Sequence, residues 1–177
     1  IYVRWSKPDA EDLDTLQNPG PYTYELFRAD GITNDIADFQ AVPGASFTSQ
    51  YFVFANDTIY NHTGLDTETI PHSYIVGFYT NDKADTLGYA AAASSVYLSI
   101  ASTDEINNLS WDYDVSWDNY EYVVYRLNAS NTWDSIATTV EPSYSDQGLI
   151  NGKEYCYYVE AEGTYGIVKI VTPLFNK

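Results

Sequence analysis

YTYELFRAD (residues 22–30) and YEYVVYRLN (residues 120–128) share one pattern, Tyr-x-Tyr-x-aliphatic-aromatic-Arg. The same landmarks flank both stretches in the same order. An alternating segment that ends in tryptophan precedes each stretch, and a Gly-Leu pair with a tyrosine-bearing segment follows it. One order of motifs that occurs twice predicts two copies of one structural module, with loop lengths that differ between the copies.

Apolar and polar residues alternate in many short segments, such as residues 74–78 and 155–161, and turn clusters such as QNPGP (17–21) separate them. Aromatic residues, which suit a half-buried pleated surface, make up 16% of the chain. These features predict an all-β fold made of two tandem immunoglobulin-like β-sandwiches, the first lacking its opening strand.

The small residues of YAAAASS (89–95) predict a short connection between domains at 1–90 and 91–177. We expect the two domains to form an elongated, semi-rigid rod. Because residue 1 lies within the first tryptophan segment, we also expect the chain to be a piece of a longer polypeptide. The predicted core of the two copies contains Trp5, Trp111, Tyr24, Tyr122, Tyr74 and Tyr155.

The formal net charge of −17 works against binding to nucleic-acid phosphates and to anionic membrane surfaces. The longest apolar stretches are well short of the ~20 residues that a spanning helix needs, so we expect no membrane insertion. A single cysteine and two histidines leave no cysteine-rich zinc site and no disulfide within the chain. We expect a monomer that needs no cofactor.

GLINGKEYCYYVEA (148–161) and the tryptophan and Tyr-Arg segments before it resemble the fibronectin type III module. In that family a leucine and the tyrosine six positions later form the tyrosine corner, so the resemblance implies this role for Leu149 and Tyr155. A buried phenol needs a hydrogen-bond partner, which the backbone of the turn supplies. In the first copy nine positions separate Leu65 from Tyr74, so we expect its loop to bulge.

The second copy, including residues 111–126 and 143–166, also resembles repeats of large bacterial surface or secreted proteins. Those proteins end in a gliding-motility-associated sorting domain of the type IX secretion system. This resemblance implies an extracellular or outer-surface location. It also implies that the cysteine equivalent to Cys156 pairs with a cysteine beyond the final strand. Alternatively, Cys156 is a buried free thiol that packs as a small apolar side chain.

Two acidic loops, PDAEDLD (8–14) and WDYDVSWD (111–118), are calcium candidates, because calcium takes about six to eight oxygen ligands. Neither loop matches the spaced Asp-x-Asp-x-Asp-Gly pattern of a known calcium loop. A solvated acidic loop is the alternative. The candidate ligands are Asp9, Asp12, Asp14, Asp112, Asp114 and Asp118.

Patterns of catalysis are weak in this chain. It has no Gly-x-Ser-x-Gly nucleophile motif and no glycine-rich phosphate loop. His62 and His72 have Asp66 and Ser73 near them in the sequence, but a hydrolytic triad also needs a nucleophile at a strained turn and an oxyanion hole. We therefore predict no enzyme activity.

Aromatic residues are the stronger binding candidates, because exposed rings stack on sugar faces and anchor protein contacts. The candidates are Trp117, Trp133, Tyr113 and Tyr125. The alternative is that a small sandwich cannot bury all its aromatic residues. We predict a structural, spacer or presentation module of an exported bacterial surface protein with a role in gliding or adhesion, and neighbouring domains, a polysaccharide or another surface protein as partners. The competing hypothesis is a carbohydrate-binding or adhesive module.

Overall fold

The computed structural model describes residues 1–6, 13–52, 59–165 and 168–176. Across these residues, antiparallel strands dominate, and the helical structure includes a 3-10 turn, Ile36–Asp38. The chain divides into two compact units. Unit 1 comprises Ile1–Thr67 and His72–Ser94, and unit 2 comprises Glu68–Pro71 and Ser95–Lys177. The boundary between residues 90 and 91 stays a prediction.

The described part of unit 1 has two antiparallel sheets. Its strands are β1 (Tyr2–Arg4), β2 (Tyr22–Asp30), β3 (Gln40–Ser49), β4 (Ile59–Asn61), β5 (His72–Thr80), β6 (Asp85–Tyr89) and β7 (Ala93–Ser94). β1 pairs with β4, and the other sheet has the order β3-β2-β5-β6, with β7 also on β5.

Unit 2 also has two antiparallel sheets. Its strands are β8 (Tyr97–Thr103), β9 (Ile106–Asp112), β10 (Asp118–Leu127), β11 (Trp133–Thr139), β12 (Ser143–Gln147), β13 (Tyr157–Tyr165) and β14 (Val168–Asn176). One sheet has the order β12-β9-β8 and the other the order β11-β10-β13-β14.

Each unit has its own aromatic core, formed by the alternate side chains that face inward from its strands. In unit 2, Trp111 is 2% exposed and its ring lies 5.2 Å from that of Tyr122. In unit 1, Trp5 is half-buried and its ring lies 6.0 Å from that of Tyr24. The two tryptophans thus meet equivalent tyrosines, but Trp111 is more completely covered.

The strands of the two units correspond in order, from β1 and β9 to β6 and β14. The larger sheets have the same order of equivalent strands, and the β1–β4 pair corresponds to the β9–β12 pair. β8 lies on the other edge of β9, whereas β1 pairs with β4 alone among the described residues of unit 1. This topology confirms the predicted fold class, two immunoglobulin-like sandwiches of the fibronectin type III kind.

Strand register changes one equivalence that the sequence indicated. Arg28 lies opposite Tyr74, and Arg126 lies opposite Tyr157. Tyr74 therefore corresponds to Tyr157 and not to Tyr155. The position of Tyr155 is held in unit 1 by His72, because the loop after Leu65 is one residue longer than the loop after Leu149.

Candidate functional site

A partly buried ion pair joins the two sheets of unit 2. Arg126 Nη1 donates a hydrogen bond to Asp146 Oδ2 at 2.7 Å. The Tyr157 hydroxyl donates to the same oxygen at 2.8 Å, and Asn107 Nδ2 donates to that hydroxyl at 3.0 Å. Asp146 is 5% exposed and Tyr157 is fully buried, so these donors replace the water that a free carboxylate would bind.

The ionisation of this group fits a structural role. Burial raises the pKa of Tyr157 to about 12, so its hydroxyl stays a donor at neutral pH. For Arg126, burial is the largest single effect and opposes the charge, but the hydrogen bond to Asp146 and the charges of Asp146 and its neighbours together outweigh burial and raise the pKa. The four side chains come from β9 and β12 of one sheet and from β10 and β13 of the other, so the network links the two sheets.

The loop between β12 and β13 forms a corner beside this network. Gly148 has a φ of 72°, which disfavours any side chain. Leu149 is buried, and the Ile150 N–H donates a hydrogen bond to the Tyr155 hydroxyl at 3.0 Å. Arg126 lies over the Tyr155 ring, with Cζ 5.7 Å from the ring centre. The structure thus brings Leu149 and Tyr155 together in the loop where the family resemblance implies a tyrosine corner.

His62 occupies the position in unit 1 that Asp146 occupies in unit 2. Tyr60 lies opposite Val3 in one sheet, and Tyr144 lies opposite Leu109 in the equivalent sheet. His62 and Asp146 each follow their tyrosine by two residues. His62 Nδ1 lies 3.0 Å from the Tyr74 hydroxyl, as Asp146 contacts the equivalent Tyr157.

His72 occupies the corner position of unit 1 and is 2% exposed. Its Nε2 lies 3.0 Å from the carbonyl oxygen of Asp66, the residue after Leu65. Its Nδ1 lies 3.0 Å from Asp30 Oδ1, which also contacts Arg28 Nη2 at 3.1 Å. A histidine therefore closes this corner by bonding to the loop backbone, where unit 2 uses a tyrosine.

The sequence places Asp66 and Ser73 near both histidines but does not identify Tyr74 and Asp30 as their partners. For His62 a signal was present: it precedes Gly64 by two residues, as Asp146 precedes Gly148. For His72 the signal was hidden by the longer loop.

Two of the four predicted sugar-stacking residues share the outer face of the larger sheet of unit 2. The rings of Tyr125 and Tyr158 are stacked, 4.3 Å apart and 8° from parallel. The Trp133 ring lies 4.8 Å from that of Tyr158 and nearly perpendicular to it. The Tyr125 hydroxyl donates a hydrogen bond to Glu160 Oε2 at 3.1 Å. We call Tyr125, Trp133 and Tyr158 the outer aromatic cluster; all three are half-buried.

The other two candidates lie elsewhere. Tyr113 packs against the core of unit 2, and its hydroxyl contacts that of Tyr122. Trp117 donates from Nε1 to Asn119 Oδ1 at 3.1 Å, and a methyl group added at Gly163 would come within 2.9 Å of its ring. The four predicted residues therefore do not form one platform.

Unit 1 has an aromatic group on its own outer face. The Tyr79 ring lies over Gly77, where a side chain would collide with it. Its hydroxyl lies 3.2 Å from that of Tyr89, whose ring also contacts Phe27. These rings cover the central strands β2 and β5 of the larger sheet.

The acidic candidates do not gather into a metal centre in the part of the chain that the structure describes. There, no three His, Cys, Asp or Glu side chains are placed so that they could hold a metal ion. Asp14 instead accepts hydrogen bonds from the N–H groups of Leu16 and Gln17 within its own turn. Asp112 and Asp118 are exposed and Asp114 is half-buried; Asp9 and Asp12 lie outside the described residues.

Cys156 is a free, half-buried cysteine, and its carbonyl oxygen accepts a hydrogen bond from the Leu127 N–H at 3.0 Å. The predicted pairing with a cysteine beyond the last strand concerns residues outside this sequence, so it stays a prediction. Along the described residues, no helix is long and apolar enough to cross a membrane.

Comparison with known proteins finds matches among solved structures only. No family model and no curated protein matches the chain. Among solved structures, the chicken CNTN1 FN1-FN3 domains match with a TM-score of 0.30 and 9% identity, over 89% of this chain and 57% of that one. The selenomethionine-substituted chicken interferon gamma receptor alpha chain matches with a TM-score of 0.26 and 8% identity, over 98% and 90% of the two chains. The chain thus spans little more than half the length of the first of these structures.

Proposed function

We propose that the two units are non-catalytic spacer or presentation modules of a larger exported protein at a bacterial cell surface. The observation that supports this proposal is that each unit directs its buried polar side chains at its own strands. In unit 2, Arg126, Asp146 and Tyr157 bind one another. In unit 1, His62 binds Tyr74. Such contacts stabilise a sandwich, and they engage these polar side chains with one another.

The surface location belongs to the same proposal. The resemblance of residues 111–166 to repeats of gliding-motility-associated proteins supports an extracellular position and a context of gliding or adhesion. The net charge of −17 supports a monomer, because copies of the chain repel one another. The partners would then be the neighbouring domains of the same polypeptide.

Pulling the chain by its two ends in a single-molecule experiment tests the spacer role. We expect two separate unfolding events, one for each unit. Each event should lengthen the chain by about 300 Å, because roughly 90 residues extend at about 3.4 Å each. A chain that extends without a resisting step would contradict the proposal.

Carbohydrate binding is the second candidate, and the outer aromatic cluster is the observation that favours it. Its weakness is the geometry of the cluster. Tyr125 and Tyr158 turn their ring faces toward each other, whereas a sugar stacks on an open ring face.

A glycan array with the unmodified chain and with Trp133→Ala tests this candidate. Tyr120→Ala is the matched control, because Tyr120 is 46% exposed on β10 and is not a member of the cluster. Glycan binding that Trp133→Ala abolishes and Tyr120→Ala preserves would replace the spacer role with a binding role. Equal, background signals for all three chains would reject the binding candidate.

A further inference from the structure

The two units satisfy one structural requirement with different chemistry. Each unit has a buried tyrosine on a central strand, Tyr74 on β5 and Tyr157 on β13. Its hydroxyl is bound by a side chain that directly follows β4 in unit 1 and that belongs to β12 in unit 2. Unit 2 supplies the carboxylate of Asp146, 2.8 Å from the Tyr157 hydroxyl. Unit 1 supplies the imidazole of His62, 3.0 Å from the Tyr74 hydroxyl.

The acceptor role requires a neutral ring in unit 1. Burial raises the pKa of Tyr74 far above its usual range, so its hydroxyl keeps its proton and can donate to Nδ1 of His62. A neutral imidazole accepts at one nitrogen, whereas the imidazolium donates at both. Protonation of His62 therefore removes the acceptor, whereas a carboxyl group such as that of Asp146 keeps its capacity to accept.

The charges around His62 also oppose its protonation. They come from Arg28 on β2 and from His72 on β5. Tyr60 and Tyr74 face the ring from β4 and β5. The anion of this region, Asp30, is engaged by Arg28 and His72. Burial first, and then these positive charges, lower the pKa of His62.

We infer that His62 makes unit 1 sensitive to mild acid: protonation of its ring removes the acceptor of the Tyr74 hydroxyl and adds a positive charge near Arg28. Unit 1 then loosens at a pH at which unit 2, with Asp146 in the same position, keeps its structure. The chain thus carries two modules of one fold that open in a fixed order as the surroundings acidify.

The sign of the effect follows from proton uptake. Because the pKa of His62 is lower in the folded state, the unfolded state binds more protons below its ordinary value of about 6.5. The contribution of His62 to the stability of unit 1 is therefore complete above about pH 6.5 and is lost as the pH drops toward the folded pKa.

Hydrogen exchange measured by mass spectrometry on the full chain, corrected for the intrinsic pH dependence of exchange, tests the inference. Between pH 7.5 and pH 5, we expect protection of β4 and β5 to fall by about tenfold for each pH unit between the unfolded and the folded pKa of His62. Protection of β12 and β13 should change by less than about twofold. Equal loss in both units would overturn the inference.

Substitutions then assign the effect to one side chain. His62→Gln retains an acceptor that does not titrate, and we expect it to abolish the acid response of unit 1. His72→Tyr gives this corner a tyrosine, as in unit 2, and leaves His62 as the sole histidine of the chain. The response should therefore persist, weakened by the loss of the His72 charge. A response that survives His62→Gln, or that disappears in His72→Tyr, contradicts the assignment.

A titration of the unmodified chain keeps the test independent of how the variants fold. The ring resonances of His62, followed by NMR, should titrate below about pH 6.5 and together with the loss of protection in unit 1. A midpoint at or above that value would refute the inference.

Discussion

Replacing Trp111 with alanine removes the largest side chain of the core of unit 2. Trp111 is 2% exposed and packs edge-on against Tyr122 at 5.2 Å. Removing a buried aromatic ring costs its transfer free energy and leaves a cavity, so we expect unit 2 to lose about 3–5 kcal/mol of unfolding free energy. That is a large part of the ~5–15 kcal/mol that stabilises a typical domain.

Trp5→Ala is the matched comparison, because Trp5 occupies the equivalent position and meets the equivalent Tyr24 at 6.0 Å. Trp5 is half-buried, so less area returns to water and the remaining space opens to solvent. We expect unit 1 to lose about 1–3 kcal/mol.

Urea unfolding of the full chain, followed by hydrogen exchange in peptides from each unit, measures both losses in one protein. Each substitution should affect its own unit, because each unit has its own core. A loss below about 1 kcal/mol for Trp111→Ala would refute the assignment of this residue to the core. Equal losses for the two substitutions would refute the argument from burial.

Three further predictions concern the polar network, the corner and the buried phenols. Asp146→Asn removes the charge that Arg126 binds, and urea unfolding should show that unit 2 loses about 2–3 kcal/mol of unfolding free energy. This loss is smaller than for a fully buried pair, because Arg126 reaches water. A loss under about 0.5 kcal/mol would contradict this prediction. Tyr155→Phe removes the hydroxyl that accepts a hydrogen bond from the Ile150 N–H. In calorimetry the melting temperature of unit 2 should fall by the equivalent of about 1 kcal/mol. An unchanged melting curve would show that this hydrogen bond does not stabilise the unit. Burial raises the pKa of Tyr24 and of Tyr157 to about 12. The contribution of these two phenols to stability should therefore be constant below about pH 10 and fall above it, because the unfolded state releases their protons first. Phenolate absorbance that titrates entirely near pH 10 in the folded protein would disprove this.

The fold was predictable from local sequence patterns, because the alternation of inward and outward side chains along a strand is visible within about four to six consecutive residues. The segments around Tyr24 and Tyr122 show this alternation, and both residues are buried at the centre of their sheets. The order of landmarks then identified the repeat. Alternation also placed Tyr125 on the outer face, where it stacks on Tyr158. Tyr158 was overlooked although it is the outward neighbour of the buried Tyr157.

The polar contacts were less predictable, because they depend on register across strands distant in sequence. Matching tyrosine to tyrosine paired Tyr74 with Tyr155, whereas the sheets pair Tyr74 with Tyr157. One additional residue in the loop after Leu65 shifts the alignment, and a loop tolerates that insertion at little cost. Where a loop of variable length lies between two landmarks, matching residues of the same type is therefore a weaker guide to equivalent positions than strand register.

The exchange of His62 for Asp146 separates what the fold requires from what it leaves open. Both positions supply a hydrogen-bond partner to the tyrosine hydroxyl, and leaving a buried hydroxyl unpaired costs about 1–3 kcal/mol. Neither position must be an anion, since the arginine of unit 1 finds Asp30 instead, a carboxylate that is 60% exposed. The sandwich thus constrains hydrogen-bonding capacity at this position and leaves charge free to vary. Because charge determines how a module responds to protons, two copies of one fold can share a topology and differ in the pH at which they open.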